Sequence, residues 1–388
     1  MVSSREDNLT FQEKIQRHRL EIIYRSVLGV FLVAAVIIII RIRYDNLVYS
    51  DYEVLKKAES VGSAESVVLP YGDSIVSYSR DGIAAYNGDG EKLWNETYEM
   101  QSPVVDVNGD YVVVCDYRGN TIYVMNSSGS CGKIEINKVI LDVKVSSGGM
   151  VIATLDDDEV CWINVYDASG NEMVNIRTSM DQTGFPLALS MSSDNKKMGV
   201  SYLKTSGNLI EDSIAFYNFG DVGQNVQDKI VSGYDYESTV IPFIRYLNPN
   251  EAVAMDDKML RVYRGSQIPE LAAETELPEG IKSVHYGDNL VAVVSRNAEG
   301  EETYRISVYN MSGSEIFERT FSMEYKDVVL KNGSVLIYNE TDLLMFNKKG
   351  LEKFNGSIGT GVKAVIPAGR STRLLIARED HLESVKLK

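Results

Sequence analysis

Hydrophobic residues change their arrangement once along this chain. Residues 26–40, SVLGVFLVAAVIIII, form one uncharged apolar run, whereas beyond residue 63 the apolar runs are short and broken by Gly, Asn, Asp and Ser. The first arrangement predicts a helix. Residues 22–42 give about 30 Å of helix, enough to cross a hydrocarbon layer when Arg25 and Arg41 extend their charges outward. The second arrangement predicts strands. It is clearest in residues 103–129, PVVDVNGDYVVVCDYRGNTIYVMNSSG, where β-branched runs alternate with Asn-Gly-Asp, Arg-Gly-Asn and Ser-Ser-Gly turns. There the expected strands are 104–107 (inner), 111–115 and 121–125 (middle) and 133–136 (outer).

The third of these strands recurs. An aliphatic strand ending in an aromatic or Met, then Asn or Asp, two residues and Gly, appears at residues 83–90, 122–129, 163–170, 306–313 and 343–350. Degenerate copies extend the series, so that Tyr86, Met125, Tyr166, Tyr217, Tyr263, Tyr309, Phe346 and Val385 mark eight units, 37 to 51 residues apart. A period near 40 with four strands per unit is the signature of a β-propeller, because one twisted sheet cannot bury both its faces alone. The expected fold class is therefore all-β, an eight-bladed propeller preceded by one transmembrane helix. A seven-bladed ring is the alternative, if a unit between Gly184 and Gly280 is an insertion. Only three residues follow Val385, so the last blade lacks an outer strand, and the apolar patch at Tyr52 to Leu55 is expected to supply it. The expected divisions are a basic tail (1–25), the transmembrane helix (26–42), a juxtamembrane linker with the closing strand (43–63) and the propeller (64–388).

Charge adds an orientation. Residues 1–44 hold 7 of the 39 basic and 4 of the 55 acidic residues, leaving the rest at formal charge −19. Basic residues, Arg5 among them, precede the apolar run in greater number than they follow it, which places the N-terminus in the cytoplasm and the acidic bulk outside. The sequence Arg-Ile-Arg-Tyr-Asp directly after the run offers no small-residue cleavage site, so the helix should stay attached as an anchor. The bilayer, through residues 26–42, is thus one expected partner. An acidic body repels phosphate backbones, so nucleic acid is not expected. Cys115, Cys131 and Cys161 are too few for a disulfide framework and sit in or beside apolar strands, as free buried thiols do.

Two resemblances follow from particular stretches. DGIAAYNGDGEKLWNETYEMQSPVV resembles the repeat of quinoprotein-like eight-bladed propellers, with Gly90 and Trp94 at the positions where that repeat docks an outer-strand Trp between blades. GFPLALSMSSDNKKMGVSYL (184–203) and SIAFYNFGDVGQN (213–225), with the DKIVSGYDY that follows, resemble a bacterial, mostly Gram-positive family known as domain of unknown function 5711. That resemblance implies a short basic tail, one membrane span and an extracytoplasmic propeller, and no activity.

Catalytic and cofactor chemistry find little support. Quinone-dependent propellers combine a bound calcium, a carboxylate, a Trp floor and often adjacent cysteines; this chain has two Trp and no adjacent Cys. His285 and His381 stand far apart without metal-ligand spacing. Asp156, Asp157, Asp158 and Glu159 lack the interleaved Gly of a calcium loop and read as a solvated hairpin turn. No catalytic, cofactor or metal residue is expected. The fourth unit, residues 184–237, is about ten residues longer than its fellows, and Phe185, Phe216, Tyr217 and Phe219 lie in it beside Gly220 and Gly223. Rings beside flexible glycines are what a docking surface uses, and filler for a wide gap between blades is the alternative. The expected function is a non-enzymatic scaffold for membrane or envelope proteins. The rivals are a glycan-cleaving or quinone-using enzyme with its site in the channel, and a ligand sensor.

Overall fold

The computed structural model describes residues 11–388 apart from residues 60, 61, 64, 159, 207, 208, 299, 370 and 371. Arg5 of the basic tail and Glu159 of the acidic run lie outside the described residues. Two units are present, divided between Val48 and Tyr49. In the first, helix α1 (Phe11–Asp45) contains the segment His18–Ile39, long and apolar enough to cross a membrane. Helical bonding satisfies the interior amides of such a lone apolar segment without partners from elsewhere.

In the second unit the described residues form eight sheets of four antiparallel strands each. Blades one to seven comprise residues 67–97, 103–135, 139–178, 185–237, 243–276, 281–321 and 327–357 in chain order. Blade eight combines Val362–Pro367, Arg373–Arg378 and His381–Leu387 with an outer strand from the N-terminal side, Tyr52–Glu59. Each seam between neighbouring blades holds one buried cluster. The last of them packs Val68, Ile75 and Tyr86 of blade one against Ile366, Leu375 and Leu382 of blade eight, which closes the circle. Eight blades are therefore present, and the seven-bladed alternative falls because the fourth and fifth units each form a complete sheet.

The recurring turn has a local cause. In Asn87, Asp167, Asn310 and Asn347 the side-chain oxygen accepts the backbone N–H groups two and four residues on, which bends the chain between the third and fourth strands. The Gly three residues after each adopts positive φ, as at Gly90 (+79°), where an added Cβ would also strike Ala58. Asn126 makes the shorter form of this turn to Ser128. In blade two the outer strand begins at Gly129, four residues earlier than the hydrophobic pattern suggests, through a bulge opposite Met125. Trp94 does dock between blades one and two, edge-on to Tyr71.

Closure is specific at both ends. Tyr52 to Val54 pair with Leu387 to Val385, and after a bulge Lys56 to Glu59 pair with Ser384 to His381. Tyr49 donates its N–H to the Lys353 carbonyl of blade seven, and the Tyr52 hydroxyl reaches the Ile358 carbonyl. Beneath the strand, Arg378 holds Glu383 through Nε and Nη2, both at 2.9 Å, in a nearly solvent-free pocket.

Candidate functional site

The enlarged fourth blade differs from its neighbours in two places. Its second and third strands, Lys197–Ser206 and Leu209–Asn218, run ten residues each, where other blades use five to seven. Between its third and fourth strands stand two short helical turns, Asp221–Gln224 and Gln227–Lys229. The four aromatics proposed from the sequence do not make one surface. Phe216 is 0% exposed and packs edge-on to Tyr234 and Tyr246 in the seam with blade five. Tyr217 faces the other way into the seam with blade three, where its hydroxyl meets that of Tyr202 at 2.7 Å. Phe219 stacks on Tyr217 and is half-buried, as is Phe185 at the start of the inner strand. Phe216 and Tyr217 are thus gap-fillers, and exposed docking anchors they are not.

What the longer hairpin builds is a groove. A cleft of about 870 Å³ lies between its end, the exit of the blade's outer strand, and the turn joining the second and third strands of blade five. On its rim the exposed apolar residues Ile210 (49% exposed), Val240 (38%) and Pro242 stand among the exposed polar residues Glu237, Ser238, Asp257 and Lys258. The floor is ionic, with Arg261 and Asp256 nearly free of solvent. Arg261 donates to Asp256 at 2.8 Å and Glu274 at 3.1 Å, with its guanidinium 4.3 Å from the centre of the Tyr236 ring. Asp256 also accepts from the amides of Lys258 and Met259 and from Thr239, so its carboxyl is held below its ordinary value despite burial. Behind it, burial pushes the Asp212 carboxyl up to about 6, against the opposing pull of the Ile241 amide and Ser201.

The central channel is crossed by charge. Arg245 of blade five reaches Asp106 of blade two at 3.7 Å, and its guanidinium lies 4.8 Å from the centre of the Tyr286 ring of blade six. Burial raises the Asp106 carboxyl, with Arg245, Lys144 and the Val145 amide opposing. Lys331 of blade seven donates to the Gly72 carbonyl of blade one. At the other end of the inner strands, Ser283 Oγ lies 2.8 Å from His285 Nε2 and 2.7 Å from the Tyr325 hydroxyl. His285 Nδ1 is 3.3 Å from Asp327 Oδ1, whose partner oxygen faces the Tyr338 hydroxyl at 3.4 Å. Sequence reasoning passed over both arrangements. The available signal was a charged residue inside an otherwise apolar inner strand, Asp106 in PVVDVN and Arg245 in FIRYLN.

The remaining candidates are structural. Asp157 accepts from Trp162 Nε1 and pairs with Lys138, so this part of the acidic run is engaged in its own hairpin. Cys115 and Cys161 are buried free thiols, pushed up by burial to about 12 and about 11, and Cys131 is half-buried. Among the described residues no group of three His, Cys, Asp or Glu side chains could hold a metal ion.

A model of a family of unknown function, DUF5711, matches residues 45–387, and the chain belongs to that family. No curated protein matches the sequence. Solved structures that it resembles include Chaetomium thermophilum Sqt1 bound to the N-terminus of ribosomal protein L10, 11% identical, with 87% of this chain and 100% of that one covered and a TM-score of 0.52. A eukaryotic initiation factor is also 11% identical, with 87% of each chain covered and a TM-score of 0.51. BamB from Moraxella catarrhalis is 12% identical, covering 87% and 100%, at a TM-score of 0.49. At such identities the likeness is one of fold alone.

Proposed function

We propose that this family member is a single-pass membrane protein of a Gram-positive bacterium, N-terminus in the cytoplasm and propeller outside, acting as a non-enzymatic scaffold for membrane or envelope proteins. The observation that carries the reading is the groove of blades four and five. It is the place where the chain departs from its own repeat, and the lengthened hairpin brings Ile210 beside Val240 and Pro242 over a partnered ionic floor. Exposed apolar side chains beside the buried, partnered Arg261 and Asp256 favour a protein surface, since those two charges gain nothing from reacting and the apolar groups gain from burial. Photo-crosslinkers at Ile210 and Val240 in intact cells test it, with Met173 on the outer strand of blade three as the control. A discrete crosslinked protein from the two groove positions and none from Met173 is expected; identical patterns from all three would remove the groove from the proposal.

The line Ser283, His285, Asp327 supports a second reading, hydrolysis through an activated serine. Against it, Ser283 Oγ is shared with Tyr325, and Asp327 and Tyr338 line the adjoining cleft of about 400 Å³ whereas Ser283 and His285 do not. A fluorophosphonate probe that labels the protein, and fails to label Ser283→Ala, would favour this reading over the scaffold.

A further inference from the structure

Arg245 is 7% exposed, yet among the described residues its guanidinium donates no hydrogen bond. The 3.7 Å to Asp106 is too long for one, and the Tyr286 ring offers only its face. Five N–H groups fixed in a planar fork call for acceptors, and solvent still reaches those of Arg245, since none of its nitrogens is among the fully buried atoms without a partner. Arg245 lines a cavity of about 330 Å³ at the channel mouth, where Pro70, Val107, Leu247 and Tyr286 supply apolar surface beside Asn108, Asp288, Asn289 and Lys331. The geometry points to this mouth as a binding site for a monocarboxylate carried on a small apolar body, gripped by Arg245.

Charge selects the ligand. Asp106 holds Arg245 in place through Coulombic attraction without occupying its donors, so the fork is free for a planar bidentate acceptor. A dianion such as phosphate would meet Asp106 and Asp288 at the same mouth, with Lys331 already engaged by Gly72 and Asp73. A single carboxylate brings half that repulsion. The apolar part of the wall, Pro70, Val107, Leu247 and Tyr286, then favours a hydrocarbon substituent over a second negative charge, which would face Asp288. The volume lies at the small end for ligand sites, fitting a free acid or the last residue of a polypeptide. This mouth lies at the end of the inner strands where the chain turns into the second strands, away from the groove, so the inference stands apart from the scaffold reading.

The test is calorimetric titration of the full-length protein in detergent with N-acetyl-leucine, N-acetyl-leucinamide and inorganic phosphate. Saturable binding of the acid is expected, with the amide weaker by on the order of tenfold or more. Because Arg245→Met alone leaves Asp106 buried and unpaired, the double variant Arg245→Met with Asp106→Asn is the informative one, and it should lose the preference for acid over amide while keeping the parent's melting temperature within a few degrees. Equal binding of acid and amide, an undiminished preference in the double variant, or phosphate binding more tightly than the acid would each overturn the assignment. A decapeptide ending in leucine with a free carboxylate separates the sources: tighter binding than N-acetyl-leucine identifies a polypeptide end, and equal binding a free acid.

Discussion

Lys197 Nζ donates to the Ser266 carbonyl at 2.9 Å, joining blades four and five through a side chain that is 0% exposed. Asp194 stands 3.5 Å from the same ammonium, so the charge is buried with its partners in place. Lys197→Met keeps the volume but leaves a carbonyl without its donor and Asp194 without its cation. Loss of roughly 2–4 kcal/mol in urea unfolding is expected. A change near zero would show that the seam does not depend on this contact.

Deleting residues 1–60 removes the closing strand, whereas deleting 1–44 leaves it. The longer deletion strips His381–Leu387 of its outer partner and takes Tyr49 and Tyr52 out of the cluster between blades seven and eight. It should cost at least ~3–5 kcal/mol more than the shorter one, by lost ladder bonds and apolar burial together. The two forms unfolding at the same urea concentration would reduce the strand to a tether.

Groove and seam separate by mutation. Ile210→Asp and Val240→Asp should weaken partner capture by ~1–3 kcal/mol with stability unchanged, as expected for exposed positions. Phe216→Ala should instead destabilise the body by ~3–5 kcal/mol, the cost of a cavity at a buried ring. Loss of capture by Phe216→Ala without loss of stability would contradict its place in the core.

Asp212 should make stability fall as pH rises. Ser201 has one hydroxyl proton and lies 2.7 Å from the Ile241 carbonyl and 2.9 Å from Asp212 Oδ1. A protonated Asp212 can donate to Ser201, freeing that hydroxyl for Ile241, while the Ile241 amide bonds Oδ2. The folded-state value of about 6 exceeds the ~3.9 of an unfolded aspartate, so its stabilising effect is whole below pH ~4 and is lost through pH ~6. Relative to Asp212→Asn, the parent should lose ~2–3 kcal/mol across that interval. Parallel stability curves from pH 4 to 7 would mean that Asp212 is ionised throughout.

Orientation is tested by adding protease to intact protoplasts. Residues beyond about Asp45 should be digested and the tail spared, following the basic excess before the apolar run. A protected body would reverse the topology.

The architecture was legible in the sequence because it repeats. Tyr86, Met125, Tyr166, Tyr217, Tyr263, Tyr309, Phe346 and Val385, the marks of the eight units, are all buried at the ends of third strands. That same regularity carried a warning about Tyr217. A position filled by an aromatic or aliphatic residue in every unit is a packing position, and its occurrence in the enlarged blade did not exempt it. The groove was only half legible: excess length located the blade, but which strands it lengthened depended on register. Arg245 and Asp106 are each marked in the sequence as a charge inside an apolar inner strand, but their pairing could not be read, since they belong to the fifth and second blades and meet only when the ring closes.

Closure by Tyr52–Glu59 also sets an order in time. The strand nearest the apolar helix is made early, but its hydrogen-bonding partner, His381–Leu387, is made roughly 320 residues later, tens of seconds at ordinary rates of synthesis. Through that interval it is an unpaired β-edge, open to proteases and to wrong pairing with other nascent chains. A chain that stalls before blade eight therefore carries a visible mark of incompleteness in its unpaired closing strand. The first strand built becomes the report that the last one has arrived.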